Sequence, residues 1–369
     1  MTTDLICYVV ARANVLIKSV FRCSQWEINR DYLTNEKSSF VTTQKTGAEK
    51  GDYFIAKEVG NVFVDKDPTG TIIKPFYVGV VESTEDDAVN VCDIYNMANF
   101  EIFATKMTGK DLITDILNLL LNYILADTSK QGEWVGIAKD TDIISYSYIP
   151  DNYPTSVSFV DFLVQMFQTY NVTWLPDSIR SGDNGEFMIK TKIGKSKKTI
   201  NLKNNVYKFV NWSTYFKTYD NTNANGLIIV DKSSKDMKNP KVLSRWYLNK
   251  NGELQEDNLI NVTMPTDDKV YIYDMAEEDK PTYREVAESE LSGNEYSHEI
   301  SFDLQKDNNI LKFEDLEIGA MANIMYNGIL YKSILTGYTI KSNSDFITLR
   351  FGHVRSTFQQ VLKQFQKKN

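Results

Sequence analysis

The chain has 369 residues, 42% apolar and 12% aromatic, with 41 Lys and Arg against 49 Asp and Glu. That apolar content excludes a disordered chain, and the length exceeds what one compact core holds, so two to four modules are expected. A net charge of −8 and a pI near 5.1 argue against a dedicated nucleic-acid binder, whose phosphate contacts need clustered cations.

Residues 1–107 read as β. The runs "NVLIKSVF", "GDYFIAKE", "NVFVDK", "PFYVGVVES" and "FEIFATK" are short, rich in Val, Ile, Phe and Tyr, and bounded by Gly, Pro and Asp. "DKDPTG" at 65–70 is turn chemistry. The period then changes. In "TGKDLITDILNLLLNYILAD" Thr108 stands three residues before Asp111, as in a capping box, and Ile113, Ile116, Leu117, Leu120 and Ile124 follow at helical spacing. "SVSFVDFLVQMFQTYNVTW" repeats the logic, with Ser158 before Asp161 and Phe159, Leu163, Met166, Phe167 and Tyr170 on one face. Both segments read as buried amphipathic helices. The longest apolar run, "LITDILNLLLNYIL", is interrupted by Asp115, Asn118 and Asn122, and is too short and polar to serve as a membrane anchor.

Strands return after about residue 185 with "EFMIKTKIG", "NVYKFVNWSTYF", "NGLIIVDK", "KVLSRWYL" and "KVYIYDM". An acidic stretch over 274–300 reads as a solvated loop with one helical segment. "AMANIMYNGILYKSILTGYTIKSNSDFITLRFG" holds Asn327-Gly328, a strong hairpin signal, and a second turn at "SNSD". Phe358, Val361, Leu362 and Phe365 then fall at i, i+3, i+4 and i+7 of a helix over 357–367 with a basic end. The stretches near 51–83 and 319–340 share a scheme of Gly, strand, turn and strand, the pattern of two related β-barrels.

Little of this points to catalysis. "IGKS" at 193–196 lacks the glycine a phosphate loop needs at residue 189, which is Ile. "NTNANG" at 221–226 opens like a calcium loop, but Lys232 stands where a bidentate Glu is required. His298 and His353 are the only histidines, so His-rich zinc sites are excluded. His298, between acidic neighbours, is expected charged on a surface strand. Glu82, Glu85, Asp86 and Asp87 could supply a carboxylate pair for a cell-wall hydrolase, although a run of acids after a strand reads first as a solvated loop. Cys7, Cys23 and Cys92 match no metal spacing and read as buried thiols. A carbohydrate-binding reading would need exposure of Trp134, Trp212 or Trp246. No catalytic, cofactor or metal residue is assigned, and no signal peptide is visible.

The combination of "GDYFIAKE…FYVGVVES", a helix followed by "TYNVTW", and hairpins ending "ITLRFGHVR" resembles the baseplate hub, or tail-associated lysin structural domain, of siphophages of low-GC Gram-positive bacteria. Those hubs are similar in fold to the central hub of contractile tails. The resemblance covers essentially the whole chain. It implies a mainly β fold with α+β insertions: two β-barrel-like modules plus helix-containing modules. The expected division is 1–107, a first barrel-like module; 108–200, with the two helices; 201–309, a second β-rich module; and 310–369, hairpins completing the second barrel and the terminal helix, with discontinuous modules allowed.

The resemblance further implies a non-enzymatic virion protein at the tail tip, synthesised in the host bacterial cytoplasm. Its homotrimer would present a pseudo-sixfold ring and a dome that closes the tail tube and opens for DNA ejection. Expected partners are the distal tail protein ring, the tape-measure protein and receptor-binding proteins, with viral DNA passing without sequence-specific binding. Longer relatives continue into fibre-like or peptidoglycan-cleaving segments; here the helix carrying Phe358, Val361, Leu362 and Phe365 is expected as a lid or docking element of a minimal hub, or as a cover for the last barrel. A distal tail or adaptor protein is the alternative within the same apparatus.

Overall fold

The computed structural model describes residues 4–34, 36–59, 64–67, 70–73, 75–85, 87–103, 107–122, 135–146, 156–181, 187–216, 224–235, 238–249, 253–276, 280–291, 298–306, 311 and 316–352. The fold is mainly β. The first strands are β1 (Leu5–Val10), β2 (Ile17–Cys23), β3 (Trp26–Asp31), β4 (Lys37–Val41), β5 (Tyr53–Glu58), β6 (Val64–Asp67), β7 (Gly70–Ile73), β8 (Tyr77–Thr84) and β9 (Ala88–Asp93). A 3-10 turn and β10 (Glu101–Phe103) lead to α1 (Leu112–Leu120), β11 (Val135–Lys139), β12 (Ser156–Ser158), α2 (Phe159–Tyr170), β13 (Val172–Ser181) and β14 (Phe187–Lys195). Then come β15 (Thr199–Lys203), α3 (Asn204–Tyr207), β16 (Val210–Phe216), β17 (Gly226–Asp231), β18 (Val242–Leu248), β19 (Leu254–Glu256) and β20 (Asp268–Tyr273). Last are α4 (Tyr283–Leu291), β21 (His298–Gln305), β22 (Met321–Tyr326), β23 (Ile329–Lys341) and β24 (Phe346–Gly352).

Local chemistry explains several boundaries. Asn327 and Gly328 both take positive φ, 51° and 81°, as the tight turn joining β22 and β23 requires. The Ser158 hydroxyl accepts the Asp161 N–H at 3.4 Å, and α2 ends at Asn171 in the left-handed conformation. The start of α1 differs from the capping box expected at Thr108. Asp111 occupies the N-cap, and Thr108 turns instead to the buried Asp115 carboxylate, which accepts its N–H at 2.7 Å and its hydroxyl at 2.9 Å. Asp115 also accepts the Gly109 N–H and the Tyr146 hydroxyl, so one polar residue on the buried helix face organises the loop before it.

The largest sheet runs β16-β21-β24-β23-β3-β4-β9-β8-β5-β1-β2, with β22 pairing the first half of β23 and β15 pairing β22. Within it lies a duplication. The order β3-β4-β9-β8-β5, with β2 beyond, recurs as β16-β21-β24-β23-β22-β15, and the strands follow the chain in the same sequence. Details repeat as well. Gly51 donates to the Val81 carbonyl while Val81 donates to Asp52; Gly319 donates to Leu335 while Leu335 donates to Ala320. Both glycines have positive φ, and a bulge follows Val81 in one copy and Leu335 in the other. Aligning those bulges places Phe40 on Phe302, both fully buried, and Trp26 on Trp212. The copies differ by insertion: β1 lies between β5 and β2, the β6–β7 hairpin separates β5 from β8, and residues 217–297 separate β16 from β21.

The hairpin β6–β7 joins β13, β14 and β11 in a five-stranded sheet that carries α1 and α2. An aromatic cluster binds this sheet to the first copy. Tyr32 packs against Tyr95 at 5.1 Å and Phe167 at 4.9 Å, and Tyr95 meets Trp174 at 6.4 Å. The buried Tyr32 hydroxyl accepts the Trp174 backbone N–H at 3.0 Å, tying the two layers by a polar bond inside an apolar core. Tyr32→Phe leaves that N–H buried without an acceptor; chemical denaturation should show a loss of about 2 kcal/mol, the penalty of an unmet buried donor.

Candidate functional site

The two copies meet where β3 pairs antiparallel with the second half of β23, Asp31 opposite Gly337 and Lys341 opposite Glu27. Consecutive residues of a strand face opposite ways, so Arg30 and Asp31 serve the two faces of this junction. On one face, Arg30 donates to the Asp93 carboxylate at 2.8 Å and lies over the rings of Tyr77 and Tyr338. On the other, Arg350 of β24 donates to Asp31 at 2.5 Å and to the Thr339 hydroxyl at 2.7 Å. Arg350 and Asp31 stand on strands either side of Gly337, so their bond spans the middle strand. A Cβ on Gly337 would lie 1.7 Å from the Asp31 carboxylate, which explains the glycine. The rim adds Lys341 to Glu27 at 2.9 Å and the Trp26 N–H to the Ser342 hydroxyl at 2.9 Å.

A cleft of about 300 Å³ opens beside this seam between Arg30, Tyr77, Tyr338, Pro176, Lys198 and Glu317. Its cations already have anionic neighbours, Arg30 at Asp93 and Lys198 at Glu317, 3.6 Å away. Among the described residues no group of three or more His, Cys, Asp or Glu could hold a metal ion. No described helix is long and apolar enough to cross a membrane.

The residues singled out from sequence disperse. Glu82 accepts from Lys50 at 3.0 Å and Glu85 from Asn90 at 2.8 Å beside the β8–β9 turn; Asp86 lies outside the described residues. Ile193, Gly194 and Lys195 of "IGKS" close β14 as strand with Ser196 just beyond it, and Gly226 opens β17, with 221–223 outside the described residues. Trp212 is stacked on Tyr326 at 3.9 Å with Phe302 at 5.3 Å and Phe209 at 5.8 Å. Trp246 is buried, and Trp134 lies outside the described residues, as do His353, Phe358, Val361, Leu362 and Phe365. Cys7, Cys23 and Cys92 are buried thiols that form no disulfide.

His298 corrects the expectation of a charged surface residue. It is buried, its Nε2 lies 2.7 Å from the Ser333 hydroxyl, and desolvation lowers its pKa to about 4. Of its acidic neighbours in sequence, Glu299 takes the other face of β21 and Glu295 lies outside the described residues, so burial decides the shift. The seam residues were not singled out at all, although a charged pair inside a strand run, "EINRDY", and an arginine in "ITLRFG" were visible cues.

The duplication also shows what is left open. In the first copy β3 is covered by β23; its counterpart β16 ends the sheet. β23 offers five residues, 337–341, to β3; in β8 the counterparts that remain strand are Ser83 and Thr84, because the β8–β9 hairpin turns earlier. Among the described residues neither β16 nor this end of β8 has a strand on its outer side.

Solved structures of phage tail and baseplate proteins are similar to this chain. The chain is similar to a chain of the phage P2 baseplate in its activated conformation with calcium, with 13% identity and a TM-score of 0.52, over 96% of this chain and 100% of that one. A second P2 virion baseplate structure matches with the same figures. A tail protein from Neisseria meningitidis MC58 matches with 10% identity and a TM-score of 0.52, over 95% and 96% of the two chains. No family model matches, and no curated protein matches the sequence. The chain therefore has the fold of phage tail and baseplate proteins.

Two measurements test the site. Arg350→Met removes the guanidinium that pairs with the buried Asp31 carboxylate and should destabilise the protein by about 4 kcal/mol, with Asp31→Asn added to it restoring part of the loss. For His298, the folded pKa lies below the unfolded value of about 6.5, so the unfolded chain binds the extra proton first. Its stabilisation is complete above that value and falls with pH between about 6.5 and 4. Moving from pH 7 to pH 5 should remove about 2 kcal/mol through this group, and His298→Asn should flatten that slope.

Proposed function

We propose that the chain is a structural hub of a phage tail tip: a homotrimer whose ring continues the tail tube and whose remaining modules form a dome that closes it until ejection. The observation that carries this reading is the duplication with unequal edges. One chain supplies two equivalent strand sets joined through β3 and β23, while among the described residues no strand covers the outer side of β16 or the Ser83–Thr84 end of β8. A contact that repeats head to tail closes into a ring if its rotation allows, and three such chains present six similar units. The likeness to phage tail and baseplate structures over nearly the whole chain supports the same reading.

Such a hub works without a chemical step. Opening would move subunits as rigid bodies about their interfaces, and the distal tail ring, the tape-measure protein and receptor-binding proteins would contact it. The net charge of −8 suits a wall that DNA must pass, since basic walls would hold the polyanion through counterion release.

Light scattering on the purified protein should give three times the 42.3 kDa chain mass. Lysines at Ser83 and Thr84, which place charge on the open edge, should shift the mass toward one chain while leaving the circular dichroism intact. A hexamer would favour the distal tail or adaptor reading. A mass unmoved by the lysines would remove the β8 edge from the interface.

A further inference from the structure

Residues 224–291 form a small sheet of their own, in the order β19-β18-β17-β20, with α4 packed on it. The loop from β19 to β20 is firmly bonded. The Asn258 side chain accepts the Ile260 N–H at 3.0 Å, Val262 is buried, and the Asn225 side chain donates to the Thr263 carbonyl at 2.8 Å. Its large apolar side chains nevertheless face outward: Ile260 is 65% exposed and Met264 62%, with Leu259 exposed beside them. A loop already held in place loses little freedom on binding, so its apolar tip is suited to a partner. Residues 253–268 also carry five acids and no base. Lys269, which follows, is held by Glu290 of α4, and among the described residues none of the five acids pairs with a cation, Arg245 of the adjoining β18 included.

The opposite charge stands on the second copy of the large sheet. Residues 187–210 carry seven lysines and no acid, in a chain whose net charge is −8. Lys192 and Lys197 lie near Asp140, and Lys198 near Glu317. Lys203 and Lys208 are exposed and make no ion pair among the described residues. Lys203 pairs in register with Met325, and Met325 with Leu330, so the three share one face across β15, β22 and β23. Lys332, two residues further along β23, lies on the same face. At the hairpin tip Ile329 is 56% exposed and Leu330 50%, and Val206 of the adjoining α3 is exposed as well. The first copy shows what such a hairpin end can do, since its counterpart is extended as β6–β7 and pairs with β13. In the second copy nothing among the described residues covers the tip.

We propose that the acidic loop between β19 and β20 of one chain docks on the lysine-flanked tip of the β22–β23 hairpin of a second copy. Each surface is apolar at its centre and charged at its rim, with opposite signs, which is the anatomy of a specific interface. A phosphate backbone would engage the lysines but leave Ile329 and Leu330 unmatched. A single chain leaves both surfaces exposed, and a contact between two different patches repeats head to tail. The proposal rests on the head-to-tail association proposed above, but uses surfaces apart from the β16 and β8 edges. Light scattering on the full chain tests it. Lys203→Glu with Lys208→Glu should lower the mass from three chains to one without changing the far-ultraviolet circular dichroism. Asp267→Lys with Asp268→Lys, whose side chains have no bonding partner among the described residues, should do the same from the other side. All four substitutions in one chain restore opposite signs across the contact, and the mass should return. Mixing the two double variants should likewise associate them one to one. A mass that the reversals never move, or chains that reassociate in neither experiment, would overturn the proposal. A trimer indifferent to the reversals would still support the hub, a hexamer broken by them would keep the contact and remove the hub, and a wild-type protein of one chain would overturn both.

Discussion

The pairing of β3 with β23 is the constraint on which the molecule depends. It joins residues some 300 positions apart in sequence, so the loop-closure entropy it must overcome is large. Backbone hydrogen bonds alone define such a pairing poorly, because any register satisfies them. Side chains select the register: Arg350 reaches over Gly337 to Asp31 on one face while Arg30 reaches Asp93 on the other. Each ion has lost most of its water, and its partner must stand in place for the desolvation to be offset.

With that junction fixed, the rest follows as attachments to a doubled frame. The first copy sends out the β6–β7 hairpin, which carries the five-stranded sheet and its two helices. The second sends out residues 217–297, with the small sheet and α4. Both excursions leave the interior strand order undisturbed, and both depart where the other copy has a short turn, between β22 and β23 in one case and β3 and β4 in the other. Surface turns accept long insertions at small entropic cost, while the paired core does not.

Local features were legible in the sequence for the same physical reason that long-range ones were not. Asn327-Gly328, the Ser158 cap and the apolar faces of both helices depend on neighbours within a few residues. The scheme noticed near 51 and 319 marked a real correspondence, since Gly51 and Gly319 make the same bonds. Its extent was hidden because β1 is inserted in one copy and a whole sheet in the other, so Trp26 and Trp212 share no common spacing. His298 was misread because charge in flanking residues says nothing about which face of a strand they take. Thr108 was misread because Asp115, a polar residue on an apolar helix face, offered a stronger acceptor than the helix start.

The arrangement of the seam also explains why its charges sit on adjacent residues. A shift of one residue in β3 against β23 would turn Arg30 toward Arg350 and Asp31 toward Asp93. Like charges would then be buried against each other on both faces at once, in place of two matched pairs. An apolar seam would tolerate the shift better, since Val and Ile differ little in what they pack against. The ion pairs thus act against the alternative register more than they add to the native one. Neighbouring charges of opposite sign on a single strand are a compact way to hold the two copies in one register.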